Sequence, residues 1–176
     1  PPNWAHDGVA VGANCMTLSV GFKAPARAGL VGEVLLRMSE MYEDQRLYTD
    51  KGAQPTSEPG EMPPALLAFA QDAVQRLLKA PKAMACALGE VMTESKPNVC
   101  FEASDTAWDG VCALHLSPKS RMLYDKHHVF INGDSFKASG LDATLIKKLA
   151  NNKYLTIADI QALSVDARGL VFEWYE

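Results

Sequence analysis

The sequence predicts an α+β protein made of three successive parts, and three patterns indicate this. Apolar and polar residues nearly alternate through much of residues 1–24, which is typical of strands. Between residues 25 and 96, apolar residues recur every three or four positions, as on one face of an amphipathic helix. From residue 97 onward, short β-like runs are followed by two short helical patterns. We therefore expect domain boundaries near residues 24 and 96.

Composition excludes several classes of protein. The chain is 48% hydrophobic and 22% charged, which suits a globular fold with one or two small cores. A net charge of −4 and a pI near 5.6 argue against a protein that coats nucleic acid. No apolar run is long enough to span a membrane. The cysteines lack C-x-x-C spacing, so we expect free thiols in a cytoplasmic protein rather than a zinc site; they are Cys15, Cys86, Cys100 and Cys112.

The middle part is predicted to contain three helices. The first runs from about Ala26 to Glu43, and residues 49–62, rich in Pro, Gly, Ser and charge, form a loop. Pro64 suits the first turn of a second helix that ends near Lys79, and Pro81 begins a third. Their wide apolar stripes need to be buried. They either pack together as a small bundle or pair with a second copy of the chain.

The last part begins with four β-like runs: Val111 to Leu116, Arg121 to Tyr124, His128 to Ile131 and Ser135 to Ala138. Asn132-Gly133 lies between the last two and predicts a tight hairpin, because both residues accept a positive φ. Helices are expected from Asp142 to Asn151 and from Thr156 to Leu163, where Thr156 and Asp159 have capping-box spacing. A turn at Gly169 and a final strand, Leu170 to Trp174, complete an order compatible with a winged-helix domain.

The chain opens with Pro1-Pro2-Asn3-Trp4-Ala5-His6-Asp7-Gly8, which places a histidine after a rigid turn at the start of a strand. A neutral imidazole held there is a good ligand for iron, zinc or copper, although surface or core packing is the alternative. This motif, with Asn14-Cys15 and Leu18 to Pro25, resembles the end of the catalytic barrel in bacterial ribosomal oxygenases. These are cupin (JmjC-type) Fe(II)- and 2-oxoglutarate-dependent dioxygenases that hydroxylate ribosomal proteins.

The resemblance implies specific roles for parts of this chain. Residues 1–24 would be the last strands of a cupin (double-stranded β-helix) barrel, with His6 as the last of three iron ligands. Thr17 and Ser19, on the small polar face of that strand, would stand near the 2-oxoglutarate, or else pack against a neighbouring strand. Residues 25–96 would form a helical homodimerisation domain and residues 97–176 a winged-helix-like domain.

The family's earlier His-x-Asp pair of iron ligands has no counterpart in this sequence. His6 and Asp7 are adjacent and would point to opposite faces of a strand, so they do not replace it. We therefore expect the C-terminal portion of a longer oxygenase that acts on a ribosomal protein. Alone, this portion would hold iron and 2-oxoglutarate poorly and would be inactive. The alternative is a non-catalytic, dimeric protein-interaction module in which His6 is structural.

Two other functional sites, a DNA-binding surface and a second metal site, are suggested by the sequence but receive little support. The winged-helix-like order suggests DNA binding, yet residues 97–176 contain eight basic and ten acidic residues. The helix from Thr156 to Leu163 has no Lys or Arg, whereas DNA affinity depends on neutralising phosphates. His127-His128 with His115 suggests a second metal site, but neighbours on a strand face opposite sides. We expect these histidines to pack on the surface or in the hairpin.

Overall fold

The computed structural model describes residues 7–16, 24–102, 108 and 110–175. Within these ranges the protein is a mixture of helices and two small antiparallel sheets. The elements in chain order are α1 (Arg27–Glu40), α2 (Pro64–Leu78), α3 (Pro81–Thr93), β1 (Leu114–His115), β2 (Met122–Tyr124), β3 (His128–Ile131), β4 (Asp134–Lys137), α4 (Gly140–Asn152), β5 (Tyr154–Leu155), α5 (Ile157–Ala162) and α6 (Val165–Tyr175).

Residues 7–16 form no strand, contrary to the sequence prediction. Val9, Val11 and Met16 are each more than 80% exposed, so their alternation buries neither face. A strand is stabilised by hydrogen bonds to a neighbour, and no described residue pairs with this segment. Most of the expected strand from Cys15 to Phe22 lies outside the described residues, and the barrel assignment stays a prediction.

The three predicted helices are confirmed, with small changes at their ends. α1 ends at Glu40, earlier than expected, and α2 and α3 begin at Pro64 and Pro81 as predicted. α1 packs against α3 through a small core of Val34, Met38 and Ala87. No residue of α2 is buried, although Leu77 packs against the edge of that core.

α3 also packs closely against a three-stranded sheet of order β2-β3-β4. A Cβ added to Gly89 would lie 2.4 Å from the ring of Phe130 on β3, so only glycine allows this approach. The buried hydroxyl of Thr93 donates to the Gly89 carbonyl at 2.9 Å and accepts from the Gly133 N–H at 3.2 Å. α3 therefore belongs to the cores on both of its sides, and the boundary expected near residue 96 stays a prediction.

The hairpin between β3 and β4 is confirmed. Asn132 and Gly133 have φ values of 51° and 102°, and Ile131 pairs with Asp134 across the turn. A second ladder joins β1 to β5, with Leu114 opposite Leu155 and His115 opposite Tyr154. β5 has only two residues and is defined by its pairing with β1, so no local pattern predicts it.

The main core lies between the three-stranded sheet and α4 to α6. All of these elements except β4 contribute buried apolar side chains, and Trp108, Leu155 of β5 and Leu163 add to them. The buried members of this core are Trp108, Met122, Val129, Ile131, Leu145, Ile146, Leu149, Ala150, Leu155, Ile160, Leu163 and Val171. This core fixes β1, β5 and α6 relative to one another, and these elements form the groove described below.

The final strand predicted from Leu170 to Trp174 is wrong, because these residues belong to the helix α6. Val171, Trp174 and Tyr175 recur at helical spacing on the core side, and a short apolar run does not distinguish strand from helix by itself. Gly169 lies inside α6 rather than in a turn. The Ser164 hydroxyl accepts the Ala167 N–H at 3.2 Å and caps the helix, which is the signal that the sequence prediction missed.

Two further features concern the whole described chain. The four cysteines are free thiols: Cys86 is half-buried, and Cys15, Cys100 and Cys112 are exposed. Among the helices described here, none combines the length and the apolar character that crossing a bilayer requires.

Candidate functional site

The three site residues proposed from the sequence, His6, Thr17 and Ser19, all lie outside the described residues. Across residues 7–16, 24–102, 108 and 110–175, no three His, Cys, Asp or Glu side chains are grouped closely enough to hold a metal ion. The described residues therefore do not fit an iron centre on their own. The metal and cofactor roles of His6, Thr17 and Ser19 stay predictions.

Of the adjacent histidines, His128 packs in the hairpin and His127 lies on the surface, as the sequence analysis expected. His128 is buried, and its Nδ1 lies 3.3 Å from a carboxylate oxygen of Asp125, whereas His127 is exposed. Asp125 also accepts the backbone N–H groups of both histidines at 2.6 Å. Partial burial raises the pKa of Asp125, but these hydrogen bonds outweigh it and leave the pKa below its ordinary value. His115 lies apart, with its ring centroid 4.6 Å from that of Tyr154 and the two rings tilted by 45°.

The expected capping box of α5 is present. The Thr156 hydroxyl accepts the Asp159 N–H at 3.1 Å, and Asp159 accepts the Thr156 N–H at 2.9 Å. Lys148 on α4 also donates to Asp159 at 2.7 Å. The hydrogen bond from Lys148, followed by that from Thr156, lowers the pKa of Asp159 to about 2. The ammonium group of Lys148 is thus already paired, which leaves it a weak partner for a DNA phosphate.

A charged cluster joins α1, α3 and β4. Glu90 is only 8% exposed, accepts a hydrogen bond from Ser135 at 2.6 Å and lies 3.7 Å from the guanidinium of Arg37. Arg37 also lies 3.5 Å from Glu94. Such a cluster fixes the orientation of the hairpin relative to the helices. Sequence reasoning missed it because Glu90 and Ser135 are 45 positions apart.

One concave feature with mixed chemistry is a groove between β1 and α6, which we call the β1–α6 groove. Its volume is about 570 Å³. Leu114 and Leu116 from the β1 segment and Val171 from α6 contribute apolar surface, while Glu102 and Glu173 add carboxylates. A groove of this size and composition suits a ligand with an apolar body and polar ends. The residues come from distant positions, so no local motif marks them.

Comparison with known proteins assigns the fold. A family model for the ROXA-like winged helix matches residues 70–176, which is more than half of the chain. The chain belongs to the ROXA-like winged-helix family. The winged-helix domain expected for the last part is thereby confirmed, although its closing element is the helix α6 and not a strand. The matched region starts inside α2 and includes α3, in agreement with the packing of α3 against the sheet.

Solved structures with a similar fold are ribosomal oxygenases from Escherichia coli. An X-ray structure of ycfD has a TM-score of 0.67 and 16% sequence identity, over 89% of this chain and 44% of that one. YcfD with cobalt and succinic acid gives 0.66 and 18%, over 88% and 45%. YcfD with cobalt and 2-oxoglutarate gives 0.63 and 19%, over 89% and 47%.

At these identities the likeness shows the fold alone. The chain spans less than half the length of each of these structures, which is consistent with the C-terminal portion of such a protein. It matches no curated protein. The resemblance noted in the opening residues of this ROXA-like chain is therefore supported by the structure of residues that lie far from that motif.

Proposed function

We propose that this chain is the C-terminal portion of an Fe(II)- and 2-oxoglutarate-dependent hydroxylase that acts on a protein of the large ribosomal subunit in the cytoplasm. One observation carries the proposal: the fold of 89% of this chain matches less than half of a ribosomal oxygenase structure. Related structures were solved with cobalt and either 2-oxoglutarate or succinic acid. Cobalt has the coordination preferences needed to stand in for iron in such sites.

His6 is the proposed contribution of this chain to the metal site, and Thr17 and Ser19 are the proposed residues beside the cofactor. Iron with 2-oxoglutarate would supply the oxidising chemistry of the whole protein. A facial triad needs two further protein ligands. In this proposal they are the family's His-x-Asp pair, which this sequence lacks, in a preceding part of a longer chain.

The role proposed for residues 25–96 is homodimerisation, and that for residues 97–176 is docking of the substrate protein. Exposed apolar side chains on α2 support the first role. These are Leu66, Leu67, Phe69, Val74 and Leu78, each at least 36% exposed. A helix with so little buried surface gains stability when a second copy covers its apolar side.

Substituting both Leu67 and Val74 with glutamate will weaken the proposed dimer. They are 49% and 53% exposed, so the isolated chain tolerates the change, whereas a covered interface would bury unpaired carboxylates. We expect the dissociation constant from analytical ultracentrifugation to rise at least about tenfold. Leu141→Glu, on α4 and 57% exposed, is the matched control and should change nothing. A wild-type chain that stays monomeric at every concentration would contradict the proposed dimer.

The hydroxylase proposal is tested by turnover of 2-oxoglutarate. The 176-residue chain with Fe(II) should decarboxylate no more 2-oxoglutarate than a protein-free blank. A longer chain that includes an upstream His-x-Asp pair should show turnover. There, His6→Ala should reduce turnover by roughly 100-fold or more, because even the outer partners of metal ligands contribute 10–100-fold.

His127→Ala is the matched control in the longer chain, since His127 is exposed and lies in the connection between β2 and β3. It should leave turnover unchanged. Absence of turnover in any longer chain would remove the hydroxylase proposal. The dimeric, non-catalytic interaction module would then be the better description.

A further inference from the structure

We infer that the β1–α6 groove binds an extended, positively charged peptide segment of a protein partner. The inference names the docking surface and the partner chemistry of the proposed function and so rests on it. Three independent properties of the groove lead to this ligand: its shape, the backbone of β1 and its exposed carboxylates.

The shape of the groove suits short apolar side chains in an extended backbone. Leu114, Leu116 and Ile131 form part of its wall beside Val171 of α6, and the volume is about 570 Å³. Leu114 and Leu116 are only half-buried by the chain itself. A ligand that covers this partly exposed apolar surface is stabilised by the area removed from water.

β1 is an edge strand in the part of the chain that the structure describes, because its ladder partner there is β5 alone. The Leu116 N–H donates to the Lys153 carbonyl on the β5 side at 2.9 Å. The N–H and C=O groups of successive residues point alternately to the two edges of a strand. Those of Leu116 face β5, so the N–H and C=O of His115 point to the edge of β1 that faces away from β5. An unpaired edge accepts an extended peptide as an additional strand, and main-chain hydrogen bonds then provide affinity without fixing the sequence.

The charges of the groove select a basic ligand. Glu102 and Glu173 are exposed, and within residues 24–102 and 110–175 neither takes part in an ion pair. Lys119 is the lining residue of opposite sign, and its ammonium group donates to the Cys100 carbonyl at 2.9 Å. The groove therefore has an excess of negative charge, which attracts lysine or arginine and repels phosphate. An extended basic peptide fits it better than a nucleic acid does.

A short, capped peptide of alternating lysine and leucine tests the inference by calorimetric titration of the 176-residue chain at low salt. We expect saturable binding that weakens as salt rises. The double variant E102Q/E173Q should bind roughly three- to tenfold more weakly, as expected for two exposed ion pairs. E58Q/E61Q removes two exposed carboxylates from the 49–62 loop and should bind like the wild type. Equal affinities for both double variants would overturn the inference.

A second peptide tests pairing with the edge of β1. The same sequence with N-methylated leucines keeps its charges but loses alternate N–H donors. We expect at least about a tenfold loss of affinity, and the amide signal of His115 should shift only with the unmodified peptide. Undiminished binding of the methylated peptide would rule out strand addition.

Failure of this inference is distinguishable from failure of the proposed function. If the longer chain turns over 2-oxoglutarate but E102Q/E173Q binds the peptide as well as the wild type does, the docking site is wrong and the hydroxylase proposal stands. If the peptide binds as described but no longer chain shows turnover, the groove is a peptide site of a non-catalytic protein.

Discussion

Replacing Leu155 with alanine will lower the free energy of unfolding by about 2–5 kcal/mol, the range for truncating a buried leucine. Leu155 is 0% exposed and lies on β5, inside the main core. Stability is lost for two reasons: the variant buries fewer methyl groups away from water, and a cavity is left among the neighbours of Leu155. β5 has only two residues, so its backbone hydrogen bonds contribute little to compensate.

Thermal and urea unfolding measure the effect of Leu155→Ala. A chain of this length loses about 2–4 °C in Tm for each kcal/mol. Ile157→Ala is the control, because Ile157 lies two positions further on and is 42% exposed. We expect that change to stay within about 0.5 kcal/mol. A Leu155→Ala variant as stable as this control would contradict the packing of β5 in the core.

The same variant tests the boundary predicted near residue 96. α3 packs against the sheet that helps to form the main core, so its amide hydrogens should exchange faster in Leu155→Ala, together with those of α4. Faster exchange confined to residues 97–175 would instead support the boundary. Hydrogen exchange followed by mass spectrometry distinguishes the two outcomes.

Replacing Gly89 with alanine will destabilise the protein, although alanine is the better helix former. The added Cβ would lie 2.4 Å from the Phe130 ring, and Phe130 is itself 3% exposed and surrounded by other atoms. Overpacking of this kind costs about 1–3 kcal/mol, and we expect the upper end here. Helix propensity returns about 1 kcal/mol, which leaves a net loss of about 2 kcal/mol.

Gly169→Ala is the matched control for Gly89→Ala, because Gly169 also lies inside a helix but a Cβ there would meet nothing within 4 Å. This change should stabilise the protein by about 1 kcal/mol. Urea unfolding should therefore separate the two variants by about 3 kcal/mol, with opposite signs. If both variants are stabilised, α3 and β3 do not approach as closely as described.

A third variant identifies the cause of the loss. In a Phe130→Leu background the ring is absent, so Gly89→Ala should cost much less than in the wild type. The coupling between the two sites should be of the order of 1–2 kcal/mol. If the free-energy changes of the two substitutions simply add, the loss of stability in Gly89→Ala is caused by a residue other than Phe130.

Local chemistry made several elements predictable from the sequence. Pro64 and Pro81 begin helices because a residue without an N–H suits the first turn. Asn132-Gly133 specifies its hairpin through two positive φ values. The prediction for Leu170 to Trp174 was wrong because a short apolar run indicates burial but not secondary structure. Tertiary packing decides whether such a segment forms a helix or a strand.

The candidate site was less predictable, because its residues meet only in the fold. Glu102 and Glu173 are 71 positions apart, and each reads in the sequence as an ordinary surface carboxylate. The edge of β1 depends on β5, which no local pattern marks. By contrast, the motif around His6 is recognisable in the sequence but lies outside the described residues.

The double role of α3 has a consequence for binding strength. This helix has 13 residues and is about 20 Å long, and it contacts both α1 and the hairpin whose strand β3 borders the groove. In a dimer whose interface includes α1 or α3 beside α2, two grooves would be held at a fixed separation rather than on flexible tethers. A partner with two basic segments at the matching distance would bind both at once, and its avidity would greatly exceed the affinity of either segment alone.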